Sequence, residues 1–140
     1  MKKWGLILCV LFNAAFAFGE EPEEIVTEFF AKLSAGQSSE AVDYIFAKND
    51  WVKTKEDAIA KYKGQLATMV SMVGSYHGFE LVKTEEIGDS LMGCSVIARY
   101  DRQPVRFIFI FYRPNDTWQV QNVNFDDSID ADLREALKRP

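Results

Sequence analysis

Phe107-Ile108-Phe109-Ile110-Phe111-Tyr112-Arg113-Pro114-Asn115-Asp116-Thr117-Trp118 is the stretch whose reading decides the fold. A run of aromatic and β-branched residues leads into Pro-Asn-Asp-Thr, which is turn chemistry, and the apolar pattern resumes at Trp118. Working outward, period-two patterning predicts four strands over 79–87, 91–101, 105–113 and 118–125. The links between them, Gly88-Asp89, Arg102-Gln103 and Pro114-Asn115-Asp116-Thr117, are short. Short links join only antiparallel neighbours.

Upstream of Gly78 the period is helical. Pro22 suits a first turn, Glu20, Glu21, Glu23 and Glu24 suit the helix dipole, and Ile25, Phe29, Phe30 and Leu33 share a face before Gly36. Ser38 or Ser39 caps a short second helix that buries Val42, Ile45 and Phe46 and breaks at Asn49-Asp50. Thr54, with Asp57 in a capping-box position, is expected to start the longest helix. Ile59, Tyr62, Leu66, Met69 and Val73 form its apolar stripe and Gly74 ends it. Residues 128–138 read as a short surface helix carrying Ile129, Leu133 and Leu137 on one side. The fold class is therefore α+β: N-terminal helices packed on a curved, four-stranded antiparallel sheet, with a short C-terminal helix.

Short turns fix registers, and registers decide which side chains share a face. The Gly88-Asp89 turn sets Phe79 against Ala98 and Leu81 against Val96. The Arg102-Gln103 turn sets Tyr100 against Val105 and Val96 against Phe109, and the four-residue turn sets Phe111 against Val120. Continued in step, the last hairpin brings Asn122 opposite Phe109 and Asn124 opposite Phe107, on the helix-covered face. A buried amide without partners costs roughly 1–3 kcal/mol. Either backbone and water satisfy these amides at a solvated end of the sheet, or they line a cavity that a ligand can enter. Tyr62, Tyr100, Asn122 and Asn124 are the candidate ligand-binding residues.

The other face carries Ile97, Ile108, Ile110 and Val123, with Arg99 expected opposite Arg106. A sheet wet on one side should alternate, and the run from Phe107 to Tyr112 does not. A homodimer formed through these four residues is the expected cover, with coverage by the C-terminal segment or plain exposure as the alternative.

The first 17 residues have the pattern of a signal peptide: Lys2-Lys3, an apolar core beginning at Trp4, and Ala15-Phe16-Ala17 at the cleavage site. Cleavage after Gly19 is a second choice. The apolar run is short of the ~20 residues that span a bilayer. Residues 18–140 then form one domain, extracytoplasmic (periplasmic or secreted), with no stable membrane anchor after cleavage; an uncleaved anchor is the alternative. The leader removes two lysines and no acid, so the mature chain is more acidic than the −5 of the whole sequence. Such a chain, without a basic cluster, lacks the footprint for nucleic acid or anionic lipid. Cys94 is the only cysteine beyond the leader and falls within a strand, where it reads as a small hydrophobe.

Helices, a long helix and then a bent antiparallel meander with the hairpin Phe109 to Trp118 resemble the nuclear-transport-factor-2-like cone that polyketide-cyclase-like proteins share. The resemblance covers about residues 22–126. It implies a cavity between the long helix and the sheet, and dimerisation through the outer sheet face. Enzymes of this fold use an acid or a histidine in the cone as base. Here His77, the only histidine, falls at the helix-to-strand bend, and Asp101 ends a strand beside a turn, where it reads as a solvated charge.

Motifs specific to a reaction do not emerge. Asp126-Asp127-Ser128-Ile129-Asp130-Ala131-Asp132 lacks the glycine and closing glutamate of a calcium loop, and reads as charge at a helix start. No cofactor or metal is expected. The function expected is that of an exported, non-catalytic domain that binds a small apolar ligand or serves as a dimeric interaction module. The alternative is a small-molecule enzyme of isomerase, cyclase or hydrolase type, with Asn122, Asn124 and Tyr100 polarising the substrate.

Overall fold

A computed structural model describes residues 19–140; the expected signal peptide, 1–17, lies outside the described residues. The chain runs α1 (Pro22–Ser34), α2 (Ser38–Phe46), a single 3-10 turn (Val52–Thr54), α3 (Glu56–Val73), β1 (Tyr76–Ile87), β2 (Leu91–Tyr100), β3 (Pro104–Tyr112), β4 (Gln119–Asp126) and α4 (Ile129–Leu137). The four strands form one antiparallel sheet in sequence order, so β1 and β4 are its edges. This is the α+β architecture the patterning predicts.

Local chemistry explains most boundaries. Pro22 occupies the first turn of α1, where a missing N–H costs nothing, and the Glu21 N–H donates to the Glu24 carboxylate at 3.0 Å. Thr54 does not cap α3. It lies in the 3-10 turn, its hydroxyl donates to the Trp51 carbonyl at 2.7 Å, and Lys55 takes the cap position. Gly74 ends α3 at φ +87°, and a Cβ there would come within 2.8 Å of the Asp101 side chain, so glycine is required twice over.

The core lies between α1, α2 and one face of the sheet. Ile25, Phe29 and Phe30 of α1 meet Val96, Ala98, Phe107 and Phe109, all essentially without exposure. The Phe29 and Phe109 rings cross edge to face at 5.4 Å, and Phe30 stacks on Phe79 at 4.7 Å. In α3, Leu66 and Val73 are buried, and Ile59, Tyr62 and Met69 pack against the core from its margin. Cys94 belongs to this core, and burial pushes its thiol up to about 11.

The registers match the sequence reading in the first hairpin and depart from it in the other two. Phe79 pairs with Ala98 and Leu81 with Val96, as expected. In the second hairpin Ala98 pairs with Val105 and Val96 with Phe107, two residues away from the expected step. The link is longer than a two-residue turn, because the Asp101 and Arg102 N–H groups donate to the Ser75 and Val73 carbonyls. An even displacement keeps every side chain on its expected face. It also separates Arg99 from Arg106, which now faces Ile97, so the like-charge pair does not form.

The third hairpin changes faces. Phe111 pairs with Val120 as expected, but a bulge at the next step sets Asn122 opposite Ile110 and Val123 opposite Phe109. One extra residue reverses the alternation beyond it. Val123 is therefore 1% exposed within the core and is not an outer-face residue. Asn122 and Asn124 leave the phenylalanine face and are exposed on the opposite side. Both are corrections to the sequence reading, with a single cause.

α4 rests against β3 on the outer face. The Arg106 guanidinium binds the Asp126 carboxylate through two nitrogens, at 3.1 and 2.9 Å, and Asp132 of α4 at 2.7 Å. Ile129 is buried at the same place, while Leu133 and Leu137 of α4 stay exposed. The acid cluster is thus a docking contact as well as charge at a helix start. Ile97, Ile108 and Ile110 are half-buried.

Candidate functional site

The site begins with Asn49, read from sequence only as a helix breaker. It is 2% exposed and the only buried polar residue among those described. Its side-chain oxygen accepts from the Trp51 and Val52 N–H groups, both at 3.0 Å, which shapes the 3-10 turn. Its amide nitrogen donates to the Val120 carbonyl at 3.1 Å, immediately before the extra residue Gln121. One side chain therefore ties the turn that leads into α3 to the bulge in β4. Between them opens a groove of about 580 Å³.

Phe46, Trp51, Val52 and Ile59 supply the apolar wall, with Tyr62 deeper along α3. Across from them, Gln121, Asn122, Val123 and Asn124 come from β4, and Ile110 from β3. Because β4 is an edge strand, the groove reaches residues from both of its faces. Asn122 and Asn124 line the groove for that reason, although they do not point into the core.

Tyr62 is the most unusual member. Its ring meets Phe46 at 5.6 Å and Phe125 at 5.5 Å, both edge to face. Its hydroxyl is buried and has no hydrogen-bond partner among the described residues. Burial raises its pKa above the usual tyrosine value, so it remains a neutral donor. Lys55 supplies the groove's only formal charge; its ammonium sits over the Trp51 ring, 3.4 Å from the centroid. No acid and no histidine is among the lining residues.

Tyr62, Asn122 and Asn124 are thus brought together, and Tyr100 is not. Tyr100 pairs with Tyr76 across β1 and β2, with ring centroids 5.6 Å apart. Its own hydroxyl is buried without a partner, and burial pushes it up to about 12. Sequence reading missed Asn49, Trp51, Lys55 and Gln121. One signal for the bulge was present: Val120 and Val123 are three apart in a strand of period two.

His77 lies elsewhere, at the start of β1. Its Nε2 meets the Asp101 carboxylate, whose other oxygen accepts from the Ser75 N–H at 2.8 Å. The imidazole, followed by that N–H, holds the Asp101 carboxyl below its usual range. Asp101 is therefore a clamp between the α3–β1 link and the β2–β3 link, rather than a merely solvated charge. Both side chains are half exposed and neither lines the groove.

No family model matches the chain, and no curated protein matches it. Among solved structures it is similar to an NTF2-like protein from Campylobacter jejuni, described as a transpeptidase candidate, with a TM-score of 0.54 and 19% identity. The match covers 72% of this chain and 97% of that one. The fold is NTF2-like, as the helix order and the meander imply.

Proposed function

We propose that this chain is an exported, non-catalytic NTF2-like domain that holds a small, largely apolar molecule in the groove between the turn preceding α3 and β4. The observation that carries the reading is the lining: aromatic and aliphatic walls, side-chain amides at the β4 edge, and neither acid nor histidine. Such a surface binds and orients a ligand, but offers no group poised for proton transfer near neutral pH. Export rests on Lys2-Lys3, the short apolar core and the small-residue cleavage site.

Acyl transfer, suggested by the description of the Campylobacter jejuni protein, requires an activated nucleophile. Cys94 is 1% exposed with a raised pKa, and the groove holds no carboxylate or histidine to activate a hydroxyl. Nor does Tyr100 stand beside Asn122 and Asn124 to polarise a substrate. Binding is the reading the geometry supports.

Titration with Nile red, a neutral apolar probe, tests it. Saturable binding is expected in the wild type and should be lost in Ala58→Trp, which fills the groove from an exposed position on α3. Binding that ignores Ala58→Trp would place the ligand elsewhere. Native mass spectrometry of protein taken from its own envelope would identify what the groove carries.

A further inference from the structure

We infer that the groove selects an amphipathic carboxylate, its acid group held by Lys55 with the Asn122 and Asn124 amides and its apolar body laid along Trp51, Ile59 and Val123. This inference rests on the binding reading above and specifies its ligand class. Three observations carry it. First, the Lys55 ammonium is the sole formal charge lining an otherwise apolar groove, and no carboxylate of the described residues pairs with it. Lys32 pairs with Glu28, Lys48 with Glu20, Lys53 with Asp50 and Lys63 with Asp43, while Lys61 of α3 does not line the groove.

Second, the side-chain amides of Asn122 and Asn124 are exposed at the β4 edge of the groove, where a ligand can reach them. Third, the absence of acid from the lining means that a carboxylate meets no like charge there, whereas a cationic ligand would meet Lys55 alone. The amides of Asn122 and Asn124 can donate to the same head group from the β4 side. A volume of about 580 Å³ accommodates a medium-length chain or a small aromatic acid.

Octanoate and 1-octanol, equal in chain length and different in charge, separate this inference from the reading beneath it. Both are titrated into purified protein, and amide and indole shifts in nuclear magnetic resonance spectra locate the site. Octanoate is expected to bind more tightly than octanol, with shifts at the Trp51 indole and the Asn122 and Asn124 amides. Lys55→Gln, an exposed substitution, should weaken octanoate about three- to fivefold, as for a partly exposed ion pair, and leave octanol unchanged. Added salt should weaken octanoate alone. Tyr62→Phe, whose lost hydroxyl is sealed from the groove, should alter neither. If the two ligands bind equally and Lys55→Gln alters neither, the carboxylate inference falls and the apolar groove stands. If neither binds there, or the shifts map to another surface, the groove reading falls with it.

Discussion

Single side chains carry unusual weight at this site, and Asn49 carries the most. It satisfies two backbone donors on one side and the Val120 carbonyl on the other. Asn49→Ala strands those groups, so a loss of about 2–3 kcal/mol is expected, read as a lower urea midpoint with an unchanged slope. Asn49→Asp keeps the acceptor but sets a buried carboxylate oxygen against the Val120 carbonyl, and should cost at least as much. Tyr62 behaves oppositely. Removing an unpartnered buried hydroxyl should stabilise the ligand-free protein by about 1 kcal/mol in Tyr62→Phe, and Tyr100→Phe should do the same without touching the groove. A Tyr62→Phe protein less stable than wild type would show that the hydroxyl has a partner after all. These residue roles were scarcely legible in sequence. An asparagine after a helix reads as a breaker, and only the fold reveals that its amide spans to a strand about seventy residues away.

Among the elements, those with strong periodicity were legible and the details set by long-range contacts were not. The stripe from Ile59 to Val73 defines α3, and the alternation in β2 and β3 defines the sheet. The length of the β2–β3 link depends on hydrogen bonds to Ser75 and Val73, which no local pattern announces. The bulge in β4 moved Asn122, Asn124 and Val123 across the sheet at one stroke, and its three-residue valine spacing is the one mark it left in sequence. At the β4–α4 junction one contact is electrostatic. The Arg106 guanidinium beside Asp126 holds that carboxyl below its ordinary value of 3.8. A depressed carboxyl stabilises the folded state above its unfolded pKa, and that contribution is lost as pH falls through the folded value. The contact between β3 and the β4–α4 junction should therefore weaken as pH falls below about 3.8, which hydrogen exchange of the β4 amides and of the Ser128 amide, bonded to Asp126, would register. Arg106→Met should remove this acid dependence; if protection at the junction is unchanged at low pH, the ion pair is not what holds it.

For the whole molecule, assembly turns on the outer sheet face. The structure divides that face: α4 rests on the part around Arg106, while Ile97, Ile108 and Ile110 are half-buried and Leu91 is exposed beside them. Val123 is withdrawn from the set, since it lies in the core. We propose that a second copy of the chain covers the rest, because one self-complementary apolar patch suffices for an isologous pair. Full burial of an isoleucine is worth roughly 1.5–3 kcal/mol relative to exposure, and these three have only part of it in the single chain. Sedimentation at micromolar concentration should then give a dimer. Ile108 stands on the outer face between Ser95 and Asn124, so Ile108→Glu would bring carboxylates into a desolvated contact and should yield folded monomer. A wild-type monomer would overturn the proposal. A mutant that unfolds while the wild type is monomeric would assign Ile108 to the core of the single chain, with α4 and its Arg106 anchor as sufficient cover for that face.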